Sequence, residues 1–122
     1  RAAIAAVSAN PSEIHEMRDA FLSRRDFILE ELNKIKGINI NQPQGAFYVF
    51  PDVSAFFNKS YGNFTVTNSD QLAMYILETA KVAVVTGNAF GSPNCIRISY
   101  ASSMEKLKDA MYRIATALNK LN

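Results

Sequence analysis

Apolar residues at Ile14, Met17, Phe21, Ile28, Leu32 and Ile35 recur at steps of three, four and seven, with Leu22 and Leu29 beside them. That spacing lays one apolar stripe along a single long helix. Asn10 is placed to cap it, Pro11 suits the first helical position and Glu13 stands three residues after the cap. The pattern runs out near Gly37, a natural stop. Glu13, Arg18, Arg24, Arg25, Asp26, Glu30 and Glu31 fall mostly on the opposite side, as a solvated face does. Ahead of this helix, Arg1 to Val7 is rich in Ala and Ile and helical in pattern, too short to be stable alone, and Ser8-Ala9-Asn10-Pro11 interrupts it.

Beyond Gly37 the period shortens. Ile38-Asn39-Ile40 reads as a short strand and Asn41 to Gly45 as a turn. Ala46 to Phe50 reads as a second strand stopped by Pro51, with Phe47 and Val49 on one face and Ala46, Tyr48 and Phe50 on the other. Asp52 to Phe57 has room for one helical turn, and Asn58 to Asn63 is polar enough for a loop. Asn68, with Gln71 three residues on, caps a third helix whose buried side is Leu72, Ala73, Ile76, Leu77 and Ala80. Val82 to Val85 forms a strand, Thr86 to Asn94 a loop carrying Gly87, Gly91 and Pro93, and Cys95 to Tyr100 a return strand. Ser102 and Glu105 make a further capping pair before a last helix that buries Leu107, Met111, Ile114, Leu118 and Leu121. The order is helix, helix, strand, strand, helix, strand, strand, helix. A small mixed or antiparallel sheet of about four strands, covered by helices, buries these stripes, and the fold class is α+β.

Composition narrows the partners more than the fold. The 122 residues make one domain, with ordinary globular proportions of 48% hydrophobic and 20% charged residues. A net charge of +2 is too slight to point to nucleic acid or an anionic membrane. No apolar run approaches the ~20 residues of a membrane span, and no signal-peptide pattern is present. The single cysteine excludes an internal disulfide and fits a reducing cytoplasm. One histidine and one cysteine are too few for zinc or two-metal chemistry. The chain opens on Arg1 inside a helical pattern, which reads as a domain cut from a longer protein.

The residue that demands chemistry is Arg97, set between Ile96 and Ile98 in the last strand. Arginine is rarely buried without a partner, and its planar fork of donors suits a carboxylate gripped by two parallel hydrogen bonds. The alternation of Cys95, Arg97 and Ser99 with Ile96, Ile98 and Tyr100 equally suits a solvated strand face or a structural Asp or Glu partner. Gly87 and Gly91 read as backbone necessities of a tight loop, because no helix start follows them to make a phosphate cradle. Cys95 reads as a small packed residue and His15 as a surface helix residue.

The run from Val82 to Ala101 resembles the class I/II aminotransferases, the fold-type-I pyridoxal-phosphate enzymes, in which a Gly-x-x-Phe-Gly loop leads into an Arg-[Ile/Leu]-Ser-[Tyr/Phe]-Ala strand. Gly87, Phe90, Gly91, Arg97, Ser99 and Ala101 match. Pro43 to Pro51 resembles the family's Gly-[Ala/Gly]-[Phe/Met]-Tyr strand, and Arg1 to Arg25 its interdomain helix and the helix after it. Many relatives have Pro where Thr86 stands, and a longer loop before the arginine. The resemblance implies the carboxy-terminal small domain of a cytoplasmic, homodimeric aminotransferase, most similar to bacterial aspartate aminotransferases. Residues 1–9 would end the interdomain helix and 10–122 form the domain, packed on its own amino-terminal large domain. It implies amino-acid and 2-oxo-acid substrates, Arg97 as the holder of the substrate α-carboxylate, and Phe47 as a residue near the substrate. It also implies pyridoxal 5'-phosphate as cofactor. None of Lys34, Lys36, Lys59, Lys81, Lys106, Lys108 and Lys120 stands in the family's Ser-x-Ser-Lys context. The Schiff-base lysine, the catalytic residues and the cofactor-binding residues would therefore lie elsewhere, and the chain alone would be inert. Two other classes stay open. One is a non-enzymatic amino-acid-binding or regulatory domain. The other is an RNA-recognition module built on the aromatic strand Gly45 to Phe50, against which stand Gln44 in place of a basic residue and the near-neutral charge.

Overall fold

The computed structural model describes residues 1–122, the side chain of Glu13 excepted. Four helices, α1 (Ala2–Ser8), α2 (Pro11–Asn33), α3 (Ser69–Ala80) and α4 (Met104–Leu118), are joined by five short strands. The strands are β1 (Tyr48–Val49), β2 (Lys59–Tyr61), β3 (Phe64–Val66), β4 (Val85–Thr86) and β5 (Ile96–Ser99). One antiparallel sheet runs β1-β5-β4, and β2 and β3 form a separate antiparallel hairpin. The expected α+β architecture is present, with every strand pair antiparallel. The fourth strand of the main sheet shrinks to a single bridge, Asn39 to Asp52, continued by Asp52 to Cys95.

β5 is the centre of the sheet, and its alternation decides the layering. Ile96, Ile98 and Tyr100 are buried, with Val49 opposite Ile98. They meet Ile28 and Leu32 of α2, Leu72 and Ile76 of α3, and Met111, Ile114 and Leu118 of α4 in one apolar core. All five residues expected on the inner side of the last helix are buried, Leu121 included. Tyr75 is buried with them, its hydroxyl donating to the Ala117 carbonyl at 2.9 Å, which ties α3 to α4. The other face of β5 carries Arg97, half-buried, and Ser99, exposed.

Local signals place most helix ends. Asn10 accepts from the Ser12 amide at 3.1 Å, with Pro11 opening α2, while the expected capping partner Glu13 lies outside the described side chains. Asn68 accepts from the Gln71 amide at 2.9 Å, and the Gln71 carboxamide takes the Thr67 amide at 2.8 Å. For α4 the cap is Ser103, accepting from the Lys106 amide, and not Ser102.

Other expectations need correction. On α3 Leu77, expected on the buried side, is exposed, and Tyr75 is buried instead. The segment read as a loop around Asn58 to Asn63 pairs with the residues after it as the β2–β3 hairpin, turning at Gly62 (φ 59°). The polar run hid it, because Lys59, Ser60 and Tyr61 pair with Val66, Thr65 and Phe64, which lie beyond it, and Val66 supplies the buried side chain. Only Val85 and Thr86 of the fourth expected strand pair with β5, since α3 ends in a left-handed Lys81 (φ 56°) that spends the following residues on the return. α2 stops at Asn33, before the turn containing Gly37. Its stripe is buried only from Ile28 onward: Ile14 and Met17 are 57% and 60% exposed, and α1 buries nothing, because no other element packs there.

Candidate functional site

The helix-free face of the sheet gathers a set of side chains that no single stretch of sequence contains. The pairings Tyr48 with Ser99 and Asp52 with Cys95 share one register, which puts Phe50 across from Arg97. On the other flank of β5, β4 runs into a one-turn 3-10 helix, Gly87–Phe90. Arg97 thus lies between Tyr48 of β1 and Phe50 just after it on one side and Phe90 from that turn on the other, and these four side chains line one recess. The Arg97 guanidinium carbon is 4.6 Å from the ring centre of Phe90 and 5.4 Å from that of Tyr48, within cation–π range. Phe50 meets Phe90 edge-on, ring centres 6.0 Å apart.

The turn that carries Phe90 is tied down from several sides. The Gly87 amide donates to the Cys95 carbonyl at 2.7 Å and the Ser92 amide to the Gly87 carbonyl at 3.0 Å. Thr86 Oγ1 shares a hydrogen bond with Ser69 at 3.0 Å, and the Asn88 carboxamide donates to Asp70 at 2.7 Å, so the turn is fastened to the start of α3. Gly87 is required by close approach: a Cβ there would meet the Ser92 carbonyl oxygen at 2.0 Å. Gly91 closes the turn at φ 72°. The Gly87, Gly91 and Ser92 amides all bond within the loop, which leaves none of them for a phosphate.

Among the described residues, Arg97 forms no ion pair: the five pairs present all join residues of α2 or α4 or their ends. Asp52, which bridges to Cys95 two residues before Arg97, accepts from the Ser54 amide at 2.8 Å and from its hydroxyl. Arg97 is a half-buried cation with two aromatic rings within cation–π range and no carboxylate partner among the described residues. Such a group can take a carboxylate or another small oxyanion.

Phe47 is 54% exposed and does not line the Arg97 recess. It borders a different groove of about 290 Å³, with Phe21, Leu22 and Arg25 of α2, the 43–46 turn and Tyr100. The backbone links the two places. The Phe47 carbonyl accepts from the Tyr100 amide at 2.8 Å, and Ala46, in the left-handed region at φ 61°, accepts from the Tyr100 hydroxyl at 3.1 Å. Burial raises the Tyr100 phenol above its ordinary value, with Arg25 opposing and Asp26 adding. Burial, helped by the Asp52 carboxylate, likewise raises the Cys95 thiol, which keeps it protonated and poorly nucleophilic. His15 is exposed on α2. Among the described residues no three His, Cys, Asp or Glu side chains cluster as metal ligands, and no helix is long and apolar enough to cross a membrane.

The strand period pointed to Arg97 but not to Tyr48, Phe50 and Phe90 as its neighbours. Phe90 was visible only as a letter in a loop motif. The signal for the other two was the even spacing of Tyr48 and Phe50 on one face, which acquires meaning once the register is known.

Comparison with known proteins identifies the family. The sequence model of the family described as aminotransferase class I and II matches residues 1–114. The probable aspartate/prephenate aminotransferase of Aquifex aeolicus is 47% identical over 108 residues, covering 88% of this chain and 26% of that protein. The aspartate aminotransferase of Pinus pinaster is 42% identical over 118 residues, covering 96% of this chain and 24% of that one. The crystal structure of the aspartate aminotransferase from Rhizobium meliloti superposes with a TM-score of 0.94 at 36% identity, over 99% of this chain and 30% of that chain. The chain spans about a quarter of the length of these curated relatives.

Proposed function

Because the chain belongs to the class I and II aminotransferase family, we propose that it is the carboxy-terminal small domain of an aspartate-type aminotransferase. In this reading residues 1–9 end the interdomain helix, residues 10–122 form the domain, and Arg97 grips the α-carboxylate of amino-acid and 2-oxo-acid substrates. The observation that carries it is Arg97 itself, a half-buried guanidinium on the helix-free face with no acidic partner among the described residues. Phe47, at the mouth of the adjoining groove, is the second proposed substrate contact. The uncovered apolar side chains Ile4, Val7, Ile14 and Met17 are where the amino-terminal large domain would pack. A homodimer in the cytoplasm completes the proposal.

Pyridoxal phosphate supplies such an enzyme with the electron sink for the carbanion at the substrate Cα. The residues of this chain do not fit as its holder. None of the seven lysines lines the Arg97 recess, and the amides of the glycine loop are bonded internally. The cofactor is therefore assigned to the rest of the enzyme, and the task of this chain is to hold and orient the substrate.

The test is a titration of the complete gene product with aspartate, followed through its visible cofactor absorbance, in the natural protein and in Arg97→Lys. Lysine keeps the charge but loses the fork. Losing one hydrogen bond between charged groups, worth about 1.5–3 kcal/mol, weakens aspartate binding roughly 10- to 150-fold. Equal aspartate affinity in the two proteins would return Arg97 to a structural role. A colourless protein that still binds aspartate would establish the non-enzymatic binder.

A further inference from the structure

Phe90 is 49% exposed on a turn that several hydrogen bonds and a glycine with no room for a side chain hold in place. A phenylalanine half in water on so tightly fixed a support is not there to fill a core. Its ring lies over Arg97, and so does that of Tyr48 from the opposite flank of β5. Phe50, across from Arg97 in the register, braces Phe90 edge-on.

Two rings over one guanidinium do two things. They restrain a long, flexible side chain through its charge, and ring faces accept no conventional hydrogen bond of the kind a carboxylate makes. They also occupy space beside the guanidinium carbon, so an anion is confined to the directions the rings leave open. A flat carboxylate can approach the fork within its own plane and form two parallel hydrogen bonds. A tetrahedral phosphonate or sulfonate carries a third oxygen outside that plane, which must compete for the space around the guanidinium that the two rings already fill.

We infer that Phe90 and Tyr48 are positioning residues that fix the plane of Arg97 and make the site select planar carboxylates over tetrahedral oxyanions of the same charge class. This rests on the reading of Arg97 as the carboxylate holder, and it goes beyond that reading by assigning the discrimination to the aromatic pair. The two rings act through Arg97 and touch no reacting atom.

The experiment uses the complete gene product with two probes: aspartate, and its analogue bearing a phosphonate in place of the α-carboxylate. Dissociation constants for both, with kcat and KM for aspartate, are measured in the natural protein, Phe90→Leu, Phe90→Tyr, Tyr48→Leu and Arg97→Lys. Removing one cation–π partner corresponds to about a 2- to 30-fold effect. Phe90→Leu is therefore expected to raise KM for aspartate by that factor with little change in kcat, and to narrow the carboxylate-over-phosphonate preference. Phe90→Tyr, which keeps a ring, restores both. Tyr48→Leu moves both in the same direction and serves should Phe90→Leu fold poorly. An unchanged preference in Phe90→Leu and Tyr48→Leu, with Arg97→Lys impaired, overturns the positioning role while leaving Arg97 as carboxylate holder. An Arg97→Lys protein with natural affinity overturns the underlying reading instead.

Discussion

Gly87→Ala is the smallest change that should dismantle the Arg97 recess without touching any residue in it. The added methyl carbon would lie 2.0 Å from the Ser92 carbonyl oxygen, 2.4 Å from the Cys95 oxygen and 2.9 Å from the Cys95 carbonyl carbon, all backbone atoms. Heavy atoms in contact settle at about 3.5 Å, so the backbone across the turn has to retreat by roughly 1.5 Å. That displacement breaks the hydrogen bonds Gly87 to Cys95 and Ser92 to Gly87, which close the turn. Overpacking costs about 1–3 kcal/mol and each lost hydrogen bond about 0.5–1.5 kcal/mol. The lower unfolded-state entropy of alanine returns about 0.4–1 kcal/mol. Around the middle of these ranges the net destabilisation is roughly 2–4 kcal/mol. Because the turn can open without the core, the loss is best read locally, by amide hydrogen exchange over peptides spanning 85–97 in the complete gene product. At 1.4 kcal/mol per decade, protection there should fall about 30- to 700-fold, while α4 peptides stay unchanged. Aspartate affinity should fall with it, since Phe90 leaves its place over Arg97. Unchanged protection across 85–97 would refute the claim that close approach is what requires glycine here.

The other predictions concern the core and the division of labour. Burial raises the Cys95 thiol above 9.0 and the Tyr75 and Tyr100 phenols above 10.0, their ordinary values. The unfolded chain therefore gives up these protons first. Above about pH 9 the folded state binds more protons than the unfolded one, and stability falls as pH rises. Urea midpoints should decline from pH 9 upward, with Cys95→Ala delaying the onset, and a flat profile to pH 11 would count against burial as the cause. The 122 residues expressed alone should show no transamination when freed of host enzymes, and turnover above background would show that the chain carries its own cofactor lysine.

Much of the fold was legible because several signals agreed at the same residues. In α4 the apolar spacing from Leu107 to Leu121 and a serine at its start say the same thing, and the helix forms with that face inward. Asn68 and Gln71 open α3 as their spacing suggests. Legibility fails where one strand becomes readable only through its partner. In the β2–β3 hairpin Val66 is buried and Phe64 packs on the core, but Lys59, Ser60 and Tyr61 read as loop until Val66, Thr65 and Phe64 are laid beside them. The C-terminal residue adds to that edge, Asn122 exchanging backbone hydrogen bonds with Ser60 at 2.9 and 3.1 Å, a contact 62 positions away that no local pattern announces. Ile14 and Met17 fail for the opposite reason: a correct helical stripe says that a face is apolar, not that this chain contains its cover.

The same division separates Arg97 from its neighbours. Alternation along a strand is a local property, so the sequence alone shows that Arg97 leaves the core when Ile96 and Ile98 enter it. Which groups share the outer face depends on register, and a slip of one residue between β1 and β5 would exchange Tyr48 and Phe50 for Phe47 and Val49. That slip is blocked from the core side, because it would drive Val49 off Ile98 and turn Tyr48 inward. The aromatic surroundings of Arg97 are therefore specified by the packing of the opposite face. It follows that Val49 and Ile98, which touch nothing in the recess, have as strong a claim on its geometry as Phe90 does. Selectivity for a carboxylate should accordingly be sensitive to substitutions in the core that shift register and indifferent to those that only loosen packing.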